Sequence, residues 1–150
     1  MRLLATLLLS LTAMNATAQA ASTPDAGSPE RKALLDAARA PLERRLHQPV
    51  LFAVDGLRVA GDWAFLRAHL QGAGGKPVDF AGTEFEEAAS HGALSRVYAA
   101  LLERKAGHWT IRAEAIGPTD PAWAAWAQTY GAPAALFADW GRRDPAGLYE

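Results

Sequence analysis

"SRVYAALLERKAGHWTIRAEAI", residues 95–116, is the stretch whose reading decides the fold. Its first half fits two patterns. Leu94, Val97, Tyr98, Leu101 and Leu102 have helical spacing, and a composition of Ala, Leu, Glu, Arg and Lys favours helix. The same residues also alternate, with Val97, Ala99 and Leu101 on one side and Tyr98, Ala100 and Leu102 on the other. The neighbour settles the matter. Lys105-Ala106-Gly107-His108 reads as a short turn, and Trp109 to Ile116 alternates and carries aromatic and β-branched residues. A strand needs a partner, and the adjoining segment is the economical one. The stretch predicts a hairpin, with the Trp109 ring on the face of Ile111, Ala113 and Ala115.

Working outward toward the N-terminus, a second hairpin precedes it. Val50, Phe52 and Val54 alternate, and the pattern resumes at Leu57 and Val59 after Asp55-Gly56, the signature of a bulge or bend. Ala60-Gly61-Asp62 is a tight turn. Trp63, Phe65, Arg67 and His69 then alternate against Ala64, Leu66, Ala68 and Leu70. Before this hairpin, Ser28-Pro29 opens a helix, and Leu34, Ala38, Leu42 and Leu46 mark one apolar stripe. Pro41 predicts a kink or two abutting helices, and Pro49 ends the segment. Residues 71–93 read as a long loop with a helical turn near residues 83–89.

Toward the C-terminus, Gly117-Pro118-Thr119 leaves the sheet. Asp120 is placed to cap a helix that starts at Pro121, turns Trp123 and Trp126 to one face, and stops at Gly131. The order predicts an α+β domain: a four-stranded antiparallel sheet packed by an N-terminal kinked helix and a short C-terminal helix. Cystatin-like and NTF2-like folds share this general architecture, a likeness of form that carries no function.

The chain ends bound its location. Arg2, the apolar stretch from Leu3 to Met14 and Ala18-Gln19-Ala20 have the layout of a secretory signal peptide cleaved after Ala20. The stretch is shorter than the roughly 20 apolar residues a spanning helix needs. The expected organisation is a signal peptide over 1–20, a flexible tether over 21–28, one domain over 29–138 and a polar tail over 139–150, in a periplasmic or secreted protein. The chain has no cysteine, so neither disulfides nor thiolate metal sites hold the fold. Net charge is −1 with acids and bases interspersed, which gives no basic face for nucleic acid. No mature segment reads as a membrane-surface helix.

The blocks "FAVDGLRVAGDWAF" and "GHWTIRAEAIGPTDPAWAAW" resemble those of small exported proteobacterial proteins of uncharacterised function. The resemblance covers most of residues 31–137. It implies export and a strand over residues 95–105, and it transfers no catalytic residue.

Motif chemistry is sparse. His47, His69, His91 and His108 form no HxH, HxxxH or HExxH pattern, although His69 and His91 flank the loop that carries Asp79 and Glu84. Ser90-His91 and Ser95 lack a GxSxG context, and "GAGGK" lacks the Walker spacing. Glu84, Glu86 and Glu87 read as a solvated acidic face. No cofactor and no metal is expected. Should the sheet carry a pocket on one face, Arg67, His69, Tyr98 and Arg112 are its candidate ligand-binding residues. For a protein partner in the cell envelope the candidates are Lys76, Phe80, Phe85, Trp126 and Trp140, the last two expected to be partly exposed.

The function these readings favour is a non-enzymatic exported binding protein, such as an inhibitor, an immunity-type protein or an envelope accessory factor. Two alternatives accompany it: a homodimeric structural module with an uncovered apolar sheet face, and an NTF2-like enzyme with a small-molecule pocket.

Overall fold

The computed structural model describes residues 19–140. The expected signal peptide and polar tail fall largely outside them. Within the described residues the chain is α+β, with one antiparallel sheet in the order β1-β2-β3-β4. Helix α1 spans Pro29–Leu46, and the strands are β1 Leu51–Ala60, β2 Trp63–Gln71, β3 Val97–Lys105 and β4 His108–Ile116. Short helices α2 (Glu86–Ser90) and α3 (Trp126–Tyr130) and a 3-10 turn at Ala134–Phe137 complete the fold. Residues 95–105 contribute β3, the strand reading.

Helix α1 begins as its sequence dictates. The Ser28 hydroxyl accepts from the Arg31 amide, Pro29 occupies the first turn, and Leu34, Ala38, Leu42 and Leu46 are buried. The kink expected at Pro41 does not divide the helix, which runs as one element through that residue. The stretch expected as a tether is held at one point: Ser22 exchanges backbone hydrogen bonds with Val59 on the outer edge of β1, and Pro24 is buried.

Both edge strands carry a bulge, and the bulges decide which side chains meet. In β1 the register shifts between Val54 and Gly56 and leaves Asp55 unpaired. Phe52 and Val54 before the bulge, and Leu57 and Val59 after it, therefore all pack under α1 with Ala64, Leu66, Ala68, Leu70, Tyr98, Ala100 and Leu102. In β4 the pairs Leu101–Ala113 and Leu102–Ile111 leave Arg112 as the extra residue. This corrects the single face expected for β4: Trp109 and Ile111 pack with the α1 core, whereas Ala113 and Ala115 pack on the opposite side.

That opposite side is a second core. Phe65, Ala99 and Leu101 are fully buried there beneath Trp123, Trp126, Ala132 and Leu136. The predicted helix start at Asp120 is corrected. Residues 120–126 form successive turns, with amides of Ala122, Ala124 and Trp126 donating to carbonyls of Asp120, Pro121 and Trp123, and α3 opens only at Trp126 without a side-chain cap. Gly131 ends α3 in the left-handed region at φ 67°, as read from the sequence.

Candidate functional site

A cleft of about 400 Å³ opens on the second face of the sheet. Its lining comes from β2 (Arg67 and His69), the start of β3 (Ser95 and Val97) and the loop after β4 (Pro118 to Pro121, with Trp123). Local chain geometry explains why the loop folds back here. The Ser95 amide donates to the Gly117 carbonyl and the Gly117 amide to Val97, at 2.9 and 2.8 Å. The Ser95 hydroxyl donates to the Pro118 carbonyl and accepts from the Val97 amide. Gly117 sits at φ +66°, and a Cβ there would meet the Ser95 carbonyl at 3.0 Å. The wall is thereby built into the fold.

The bulge in β1 supplies the acid. Asp55, the unpaired residue, places one oxygen 3.0 Å from His69 Nδ1 and the other 3.8 Å from the Arg67 guanidinium. A bulge re-aims a side chain without breaking the strand, which is what brings Asp55 to this side of the sheet. Arg67 is the one charged residue buried among the described residues, at 3% exposure. Its cation lies 5.7 Å from the Trp123 ring and 5.6 Å from the Trp140 ring. Gly56 stands opposite Arg67, and its missing side chain leaves the space that the Trp140 ring fills. Asp120 and Thr119 are exposed at the rim.

Of the residues expected around a sheet-face pocket, Arg67 and His69 are brought together. Tyr98 and Arg112 are not. Tyr98 is on the α1 side, where its hydroxyl donates to Glu114 at 3.0 Å. Burial first, and the Glu114 carboxylate second, raise the Tyr98 pKa well above its ordinary value. Glu114 in turn pairs with Arg45, which also holds Glu84 and lies over the Phe85 ring. Arg112, the bulged residue of β4, pairs with Glu103 at 3.1 Å.

The residues expected to meet a protein partner are mostly spent inside the fold. Phe80 is buried, Phe85 is half-buried against it, and Trp126 is buried against Phe65, which corrects the exposure expected of Trp126. Trp140 is half-buried, and Lys76 is exposed. Loop 71–93 is tied down as well. Gln48 hydrogen-bonds Asp79 through both amide atoms, and Glu86 accepts from the Gly82 amide. His47, His91 and His108 are exposed and lie outside the cleft lining. Among the described residues no group of three or more His, Asp or Glu side chains is arranged to hold a metal ion, and no helix is long and apolar enough to cross a membrane.

Sequence reasoning missed Asp55, Ser95 and the 118–123 wall. The signal for Asp55 was present, because the phase shift at Asp55-Gly56 marks a bulge, and a bulged acid is displaced from the ladder. Compared with models of known protein families, with curated proteins and with solved structures, the chain matches none.

Proposed function

We propose that this chain is an exported binding protein that receives its ligand in the cleft between β2, β3 and the 118–123 loop. One observation carries the reading: a preformed recess with mostly apolar walls (Val97, Pro118, Pro121, Trp123) and the convergent polar side chains of Arg67 and His69, both paired with Asp55. That combination is what small-ligand sites have in common. The Ser95 hydroxyl is committed to the backbone of the wall, a positioning role rather than that of a nucleophile. Both faces of the sheet are covered within this one chain, so the apolar face that a homodimeric module calls for is already occupied.

A fragment screen followed by amide resonances of the labelled protein tests the reading. Shifts clustered at His69, Val97 and residues 118–123 support it. Shifts confined to loop 72–80, or no shift from any fragment, contradict it. Export is tested separately, by the mass of the protein recovered from the cell envelope. A chain beginning at Ala21 supports it, and a full-length chain retained in the cytoplasm contradicts it.

A second reading has one observation in its favour. The contact of His69 Nδ1 with Asp55 leaves Nε2 to exchange a proton with a molecule in the cleft, as a general base does. Turnover of an ester or lactone panel that His69→Gln abolishes would favour this enzymatic reading. Binding without turnover favours the first.

A further inference from the structure

The polar side chains that a molecule in the cleft can reach are chiefly hydrogen-bond acceptors. A carboxylate only accepts, so His69 Nδ1, 3.0 Å from Asp55, carries the ring proton of the neutral imidazole. Neutral His69 therefore presents Nε2 as an acceptor, on a side chain that is 49% exposed and lines the cleft. The Asp120 carboxylate is exposed at the rim and makes no hydrogen bond or ion pair among the described residues. The donors, by contrast, are engaged or covered. Arg67 is buried and partnered, with Asp55 offsetting its charge. The Trp123 indole nitrogen is buried, and the Ser95 hydroxyl donates to the Pro118 carbonyl. Pro118 and Pro121 bring no N–H to the wall.

We propose that the cleft takes a primary amine with an apolar body, its ammonium held at the rim by Asp120 and His69 Nε2. This rests on the binding reading above and names its ligand class. An ammonium has three donors and no acceptor, so it can donate to the carboxylate and the imidazole alike. It also matches the one charge in the lining that has no partner among the described residues. A negative charge at the edge of an apolar recess orients such a ligand, with its body inward along Val97, Pro118 and Pro121. A volume near 400 Å³ suits a single ring with a short side chain. A carboxylate of the same shape meets Asp120 as a like charge and Nε2 as a second acceptor, so the same two groups reject it.

Three probes of similar shape test this by titration on the labelled protein: phenethylamine, 2-phenylethanol and phenylacetate, with methylamine to ask whether the body is needed. Phenethylamine is expected to bind about threefold to fivefold tighter than the alcohol, the gain of one charge pair at an exposed rim, and phenylacetate to bind weakest. Added salt should shrink that margin. Asp120→Asn keeps the shape and removes the charge of a side chain that bonds nothing else, so it should bring phenethylamine down to the affinity of the alcohol. Cleft shifts with equal affinities, or tighter binding of phenylacetate, overturn the amine assignment and leave the binding cleft standing. An amine preference that Asp120→Asn leaves intact overturns the role given to Asp120. No cleft shift from any of the probes overturns the assignment too, while the fragment screen decides the wider reading independently. Binding of methylamine as tight as phenethylamine overturns the apolar-body requirement.

Discussion

Phe65→Ala is the perturbation that reaches furthest into this structure. The ring is fully buried on the second face of the sheet, at the centre of four other rings. Its centroid lies 4.8 Å from Phe137, 5.8 Å from Trp140, 6.0 Å from Trp123 and 6.2 Å from Trp126. Removing a buried Phe side chain costs about 3–5 kcal/mol through lost transfer energy and the cavity left behind. Such aromatic pairs add about 0.5–1.5 kcal/mol beyond their buried area, so the upper half of that range applies here. A single domain is stable by about 5–15 kcal/mol, and the variant should fold but sit near the lower limit. Urea unfolding followed by tryptophan fluorescence is the assay. With a slope of about 2 kcal/mol per molar, the midpoint should fall by about 2 M. Because three of the four rings are tryptophans, the folded variant should also be more readily quenched by acrylamide. A fall of less than about 0.5 M, with quenching unchanged, would refute the claim that the C-terminal segment is a second core built on Phe65.

Other predictions test the remaining parts. Gly117→Ala places a Cβ 3.0 Å from the Ser95 carbonyl at a positive φ, and should cost about 1–3 kcal/mol and weaken ligand binding in the cleft, read by thermal melting and titration. Tyr98→Phe leaves Glu114 without its hydroxyl donor and should cost about 1–2 kcal/mol by urea unfolding, with no effect on the cleft. The raised Tyr98 pKa has a sign of its own: its stability contribution is present below the unfolded value near 10 and is lost as pH rises above it toward the folded value. Wild type should therefore lose stability at alkaline pH through a component that Tyr98→Phe lacks. Asp36 and Glu84 have carboxyl pKa values lowered chiefly by Lys32 and Arg45. Their contributions are present above the ordinary carboxylate range and fade as pH falls through the folded values, a small acid-side loss that salt should blunt.

What the sequence makes legible follows from where a pattern breaks visibly. The β1 bulge can be read because the apolar phase moves from Phe52 and Val54 to Leu57 and Val59. The β4 bulge cannot, because Trp109, Ile111, Ala113 and Ala115 keep one unbroken alternation while the chain turns the first pair to one core and the second pair to the other. A sheet buried on both faces removes the polar-out signal that would fix the phase. The same double burial explains why Trp126 reads as exposed: its cover, Phe65 and the residues after Gly131, is distant in sequence. Asp120-Pro121 carries a good capping signal, yet the turns that bring Trp123 onto Phe65 take precedence over regular helix there. In the candidate site, Arg67 and His69 are legible from strand alternation alone. The wall that makes a cleft of them depends on the contact between Ser95 and Pro118, which no local pattern announces.

The most direct measurement is a crystal structure of the protein grown with a fragment that shifts the amide resonances of His69, Val97 and residues 118–123. The result expected is the fragment ordered between β2, β3 and the 118–123 loop, against Val97, Pro118 and Pro121 and beside His69. A fragment ordered elsewhere, or a cleft closed by the 118–123 loop with no fragment in it, would contradict a binding site there.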